Sequence, residues 1–418
     1  MSHSASLSHY RAALTAPGAV APALASIIGR LPIAMVGLAL LFYVQRTTGS
    51  FAVAGVVSAA ALVGVAVGSV VQGRVIDRFG ATRPLLAVSV VFAAVVTVAV
   101  TAVESRAGAP MLVALALAVG LTEPMVGSSS RALWGRLLPA GPVRNAGYAY
   151  EAISMEVFFI LGPGLAGVLA LSDWWAGTGV VVGAASMVVG AVVFALTPAV
   201  RAWGPARSGS RSHLGPLGAL GTPGMRTVTI AAFGFGLTIG FVEVGVPAAA
   251  TLAGKAAIGG VLLSLWSVSS VLAGVAYGVR PWPRPLHLRP PVLLFGFALL
   301  LPLLAVPSSL VGLGVALLVV GVLITPQATT HSTMIDVVAP PGTSTEAFGW
   351  VVTAVTLGLA AGQSASGALV EASGPGAAFL AGSLGGLLVA AVVWARRHTM
   401  RVPQRVEEPV PVAAGVRS

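Results

Sequence analysis

Residues 51–73, 84–103, 177–197 and 374–395 each run for about 20 residues without one charged side chain. That feature limits the possible folds more than any other. As helix, a run of this length crosses a hydrocarbon core of about 30 Å. Only 8% of the 418 residues are charged and the mean hydropathy is +0.95, whereas a soluble domain carries about 25% charged residues. The runs are continuously apolar rather than alternating, which argues against a barrel. The chain therefore reads as an all-α polytopic membrane protein.

Twelve transmembrane helices fit the pattern, at about 21–45, 51–73, 84–103, 110–131, 145–170, 177–197, 226–250, 256–279, 291–306, 309–334, 346–370 and 375–395. The first run is too long for a signal peptide and contains Arg30, so it is expected to be a retained span. Cysteine is absent, which rules out disulfides, thiolate metal sites and thiol catalysis. With the N-terminus inside, 19 of the 23 basic residues fall in the tails and the loops after even-numbered spans; Arg46, Arg106 and Lys255 fall on the other side and Arg30 within the membrane. This asymmetry places both termini in the cytoplasm. The net charge of +11 is then an orientation signal, and no nucleic-acid partner is needed to explain it. Arginine outnumbering lysine, with abundant Ala, Val and Gly, suggests a GC-rich bacterial genome and hence the bacterial cytoplasmic membrane.

The segment from Arg201 is rich in Gly, Pro, Ser and Arg and divides the spans six and six. The expected organisation is a cytoplasmic tail (1–20), a six-helix bundle (21–200), a cytoplasmic linker (201–225), a second six-helix bundle (226–396) and a cytoplasmic tail (397–418). An offset of 202 residues pairs Pro124 with Pro326, Pro139 with Pro341, Gly147 with Gly349 and Tyr148 with Trp350. Six spans per half put both halves in the same orientation, a parallel repeat suited to rocking about a midplane site.

The loop between spans 2 and 3 reads GRVIDRFGATR from Gly73 and places four charges in an otherwise apolar region. Gly73 allows close helix approach, Gly80 a turn closed to other residues, and Asp77 can accept hydrogen bonds from helix N-terminal amides. Arg78 and Arg83 can anchor topology, as can Arg74. Gly73, Asp77, Arg78 and Gly80 resemble the G-x-x-x-D-R-x-G-R-K signature of the major facilitator superfamily of secondary transporters, with Arg83 one position late. The resemblance extends to span count, linker and duplication. It implies two pseudo-symmetric six-helix bundles and an alternating-access transporter in which this loop acts as a conformational switch. Drug-exporting members carry a G-P-x-x-G-G-like packing motif in span 5; Gly162, Pro163 and Gly167 match in part. They also carry R-x-x-x-G in span 4, where Ala116 stands four residues before Gly120.

An ionisable group near the bilayer centre costs about 3 kcal/mol to insert, so the few inside spans mark a possible substrate or proton pathway. Arg30, Glu123, Glu243, Gln327 and His331 fall in spans 1, 4, 7 and 10, which the resemblance implies line the central cavity. The alternatives are that Arg30 snorkels to the interface, Glu243 reaches the outer headgroups, and His331 is a satisfied packing residue. Glu151 and Glu156 in span 5 lie about 140° apart around the helix. Glu156, nearer the midplane, is the expected proton carrier, and Glu151 is expected to pair with Arg131 or Arg144. Asp336 and Glu346 are expected in a solvated loop or against loop arginines.

These features predict a monomeric, proton-coupled exporter of a small organic solute, with Arg30 attracting a polar or anionic group and Glu123 and Glu156 exchanging protons. A sugar, nutrient or metabolite importer is the alternative, and a non-transporting membrane protein a third possibility. No metal-ligand set, cofactor motif or GxxxxGK[ST] loop appears in the sequence, so neither an enzyme nor direct ATP drive is expected.

Overall fold

The computed structural model of the protein describes residues 7–49, 51–170, 175–204, 217–255, 258–279, 282 and 284–401. Most of the expected linker and the far ends of both tails lie outside the described residues. A short helix, α1 (Leu7–Leu14), precedes α2 (Val20–Arg30), α3 (Ile33–Thr48), α4 (Phe51–Phe79), α5 (Thr82–Glu104), α6 (Ala109–Thr122), α7 (Val126–Leu137), α8 (Pro142–Ala170), α9 (Thr178–Leu196) and α10 (Pro198–Arg201). After the linker come α11 (Pro223–Leu252), α12 (Ile258–Val279), α13 (Arg289–Leu300), α14 (Leu310–Gly321), α15 (Ile324–Val338), α16 (Ser344–Ser373) and α17 (Pro375–Ala395). Among the described residues there is no strand.

Ten stretches are long and apolar enough to cross a membrane; α6 with α7, and α14 with α15, each count as one. The first expected span is split into α2 and α3 around Leu31 and Pro32, where proline cannot continue the hydrogen-bond ladder. The fifth corresponds to α8, which carries Arg144, Glu151 and Glu156. Spans 4 and 10, expected as continuous helices, are both interrupted.

The helices begin and end where local chemistry dictates. Proline opens α6, α11 and α17, since its missing N–H costs nothing in a first turn. Thr222 and Ser309 cap α11 and α14 by accepting from Met225 N and Gly312 N. Outward faces are apolar, as in the row Val56, Val63, Val67, Val71 and Val75 of α4, which suits lipid contact. Inward faces are built on small residues. A Cβ at Gly236 or Gly240 of α11 would stand 2.1 or 2.4 Å from the carbonyl oxygens of Val355 and Leu359 in α16; one at Gly358 or Gly362 would meet those of Phe233 and Leu237 at 2.1 and 2.2 Å. Two GxxxG rows thus face each other at backbone distance, where only glycine fits.

The helices before the linker pack mainly on one another, through pairs such as α4 with α6, α2 with α9 and α3 with α8. Those after it do the same, through α11 with α16 and α17 and through α12 with α14. Each group has a buried core of its own, around Tyr43, Phe92 and Met187 in the first and Phe297, Leu317 and Phe379 in the second. A third core contains residues of both groups, among them Ile76, Trp134, Tyr148, Met225, Met334 and Phe348. It lies at the end of the bundle where α4 turns into α5: residues 73–79, expected as loop, form the last turns of α4, and only Gly80 and Ala81 make the turn. There the two groups are sealed together.

Candidate functional site

Along the seam between α4 and α16, Ala66, Ser69, Gly73 and Asp77 share one face of α4, because residues three and four apart stack on a helix. A Cβ at Gly73 would lie 2.8 Å from Glu346 Cα, and one at Gly349 would lie 2.5 Å from Ser69 O. Ser69 Oγ donates to Gly349 O at 3.1 Å and bonds Thr353 Oγ1 at 2.9 Å. Asp77, buried, accepts from Thr345 N at 3.2 Å and Glu346 N at 2.9 Å. It therefore caps the positive end of α16 from the other group of helices. Gly80 holds φ +81°, and a Cβ there would meet Trp203 O at 2.5 Å, so its conformation and its space both demand glycine.

Glu346 is buried, not solvated, and stands in the first turn of α16 rather than in a loop. Its Oε1 accepts from Arg74 Nε at 2.9 Å, Ala219 N at 3.0 Å and Trp350 Nε1 at 3.3 Å. Arg74 thus has a partner across the seam. Arg78 and Arg83 are exposed, with Arg78 lying over the Phe79 ring at 5.2 Å; position 78 turns away from the face that carries Gly73 and Asp77. On the second seam, Asp336, at the end of α15, accepts from Tyr148 Oη at 2.6 Å and Arg144 Nη1 at 3.2 Å, both from α8.

The two breaks within spans are closed by side chains. Between α6 and α7 the backbone turns extended at Glu123 (φ −56°, ψ 123°). Gln72 of α4 repairs the gap: its Nε2 donates to Leu121 O at 3.1 Å and Glu123 O at 2.8 Å, and its Oε1 accepts from Met125 N at 3.2 Å. Between α14 and α15, Ser270 of α12 accepts from Thr325 N at 3.1 Å and bonds Thr325 Oγ1 at 2.8 Å. Irregular backbone at membrane depth survives only when such groups are re-satisfied. Neither Gln72 nor Ser270 stood out in the sequence.

Arg30 ends α2 and is fully buried together with Glu151. Its Nη1 pairs with Glu151 Oε2, its Nη2 donates to Glu151 O at 3.0 Å, and the guanidinium lies over Phe158 at 5.5 Å. Glu151 Oε1 also accepts from Ser130 Oγ at 2.6 Å and Trp134 Nε1 at 2.9 Å. The expected partners of Glu151, Arg131 and Arg144, are displaced by Arg30, because Glu151 faces α2 and α7. Arg30 consequently presents no free charge to a solute, against expectation. Arg131, of α7, is only partly buried. It feels the charges of Arg30 and Glu151, and His331 of α15 in turn feels Arg131.

The remaining candidates come together from several helices. Glu156 of α8 faces Ser267 and Ser270 of α12 across the seam, where α8 and α12 pack together, and feels the charge of Glu243. Glu243 of α11 accepts from Gln363 Nε2 at 2.9 Å. Gln327 and His331 of α15 are buried and bonded to each other at 3.2 Å, with the Phe235 ring edge-on to the imidazole at 5.8 Å. Gly162 is buried in α8; the side-chain surroundings at Pro163 and Gly167 lie outside the described residues. No cluster of three or more metal-ligating side chains occurs among the described residues.

Two solved structures share this architecture. The human organic anion transporter MFSD10 (TETRAN) superposes with a TM-score of 0.69 at 18% identity, covering 90% of this chain and 98% of that one. The proton:xylose symporter XylE, bound to 6-bromo-6-deoxy-D-glucose, superposes with a TM-score of 0.71 at 15% identity, covering 90% of this chain and 95% of that one. At these identities the likeness is one of fold. No curated protein matches the sequence significantly. Residues 22–345 match the family described as Major Facilitator Superfamily; the chain, with its all-helical fold and apolar spans, belongs to that superfamily of membrane transporters.

Proposed function

We propose that the protein is a secondary transporter that moves a small organic solute by alternating access and is seen here with its cytoplasmic side closed. In this reading α2 with α3, α4 to α9 and α11 to α17 make up twelve spans in two bundles of six, split by the linker. The excess of arginine at the 73–83 end makes that end cytoplasmic, in the inner membrane of a bacterium, and the protein acts as a monomer. The Asp77 cap and the Arg74–Glu346 pair are then the latch of the closed side.

The observation that carries the reading is Glu156. It lies on the side of its bundle that faces Ser267 and Ser270 of the other, at the seam that must part for the cavity to open inward. Gaining or losing a proton there changes which state the seam favours, so proton movement and opening become one event. Glu123, at the break in span 4, is the second exchangeable carboxyl. The charge on the pathway and the scarcity of Trp and Asn in the spans favour export over sugar uptake. The fold relatives include an organic anion transporter and a sugar symporter, so the fold does not choose between them.

The test is proton flux in inverted vesicles, followed with a pH-sensitive dye over a panel of cationic, neutral and anionic compounds. Solute-triggered proton movement lost in Glu156→Gln or Glu123→Gln is the expected result. Solute flux without proton movement, unchanged in both variants, would make the protein a facilitator or couple it to another ion.

A further inference from the structure

We infer that α1 is a bolt across the seam between α8 and α12: it ties the two groups of helices at their cytoplasmic rim and must leave its seat for that side to open. This rests on the transport reading above, since a bolt matters only where a seam parts.

The stretch expected as a plain N-terminal tail folds onto the protein instead. Tyr10, Ala13 and Leu14 stand three and four residues apart and share one face of α1. Ala13 is fully buried, and Tyr10 and Leu14 pack against the core that contains residues of both groups. The opposite face, with Leu7, Ser8, Arg11 and Ala12, is exposed. Eight residues are too few to hold a helix on their own in water, so docking keeps α1 folded. Its hinge lies on the first group, where α1 packs along α8. Thr15 ends the helix by donating to Arg11 O from its N–H at 2.9 Å and its hydroxyl at 2.8 Å. Gly18 then turns the chain with φ +81°, its would-be Cβ only 3.3 Å from Ala199 Cβ.

The free side of α1 crosses to the second group. Gly274 and Gly278 stand one turn apart on α12 and open two notches. A Cβ at Gly274 would lie 3.2 Å from Ile153 Cγ1 of α8; one at Gly278 would lie 2.2 Å from Tyr10 Oη, 3.0 Å from Cζ and 3.1 Å from Cε2. Two residues of the first group thus sit in successive notches of α12, and Tyr10 takes the outer one, a single residue from the end of that helix. The phenol fills the space where any other residue at 278 would carry its Cβ. Its hydroxyl is buried there without a hydrogen-bond partner. Ring packing holds α1 in place, while the stranded hydroxyl would regain a partner in water and so favours release. That balance suits a contact that must form and break in every cycle.

The experiment uses the full-length protein in nanodiscs, with spin labels on cysteines introduced at Ala140 and Arg284, exposed at the cytoplasmic end on opposite groups of helices. A single label at the exposed Ala12 reports undocking of α1, and solute flux is followed in the same variants. The wild type should give mainly one short distance, as should Tyr10→Phe, which keeps the ring and removes the stranded hydroxyl. Tyr10→Ala and Gly278→Ala should each mobilise the Ala12 label and raise the long-distance population at least about threefold, and the pair together should add little more, because both remove one contact. An immobile Ala12 label, unchanged distances, or a Tyr10→Phe protein that opens like Tyr10→Ala would overturn the bolt. Undocking with a widened seam in a protein without solute flux would leave the bolt standing and sink the transport reading. Flux with a seam unchanged by Tyr10→Ala would do the reverse.

Discussion

The interruptions in spans 4 and 10 are the same structural solution carried out with different chemistry. Each follows a glycine pressed against a neighbouring helix: a Cβ at Gly120 would sit 1.9 Å from Ala61 O, and one at Gly321 would sit 2.2 Å from Trp266 O. In each, that neighbouring helix sends one polar side chain into the gap. Gln72 makes three hydrogen bonds to the backbone of the first break and reaches no ionisable group there. Ser270 makes its bonds to Thr325 and also faces Glu156 of the opposite group of helices. A break of one design can therefore be a fixed joint in one half and a joint that faces a titratable carboxyl in the other.

The largest effect should come from removing the fixed joint. Gln72→Leu strands two carbonyls and one N–H at membrane depth, at about 1–3 kcal/mol each. Thermal melts in detergent should show a severe loss of folded protein; wild-type stability would mean that the break needs no such repair. Nearly as large, Glu151→Leu leaves Arg30 buried and unpaired at a cost of about 3–5 kcal/mol. Adding Arg30→Met should recover much of it, and a double variant no better than the single one would contradict the pairing. Ser270→Ala should cost only about 1–2 kcal/mol. It should nevertheless shift the pH dependence of flux, which Gln72→Asn, adding no titratable group, should not. Smallest of all, Arg74 is 42% exposed in its pair with Glu346, so Arg74→Gln should cost under about 1 kcal/mol. Arg78→Gln, with no partner across the seam, should be neutral by the same melt.

Much of the fold was legible because hydrophobic run length responds directly to the bilayer. Asp77 was legible for a local reason: a lone acid between two glycines at the end of a span has little to do except meet a helix terminus, although the sequence put it in a loop and the structure puts it on the last turns of α4. The site chemistry was harder to read. Long helices that are apolar on nearly all faces carry no phase from which to tell which way a polar residue points. Glu151 therefore found Arg30, far along the chain, and not Arg131 or Arg144. Glu346 was left between solvent and a loop arginine, because the sequence does not say which; the arginine it meets, Arg74, lies 272 residues away. Gln72 and Ser270 resembled ordinary span residues, since nothing in the sequence marks where a proline-flanked span will open.

The absence of cysteine makes the decisive measurement clean. Spin labels on cysteines introduced at Arg83 and Arg226, exposed at the 73–83 end on opposite groups of helices, would report the distance across the seam in nanodiscs. The wild type should give one short distance and Asp77→Asn a second, longer population, because the cap on α16 is weakened. Identical distributions in both proteins, alongside intact transport, would contradict a seam that opens and closes at Asp77.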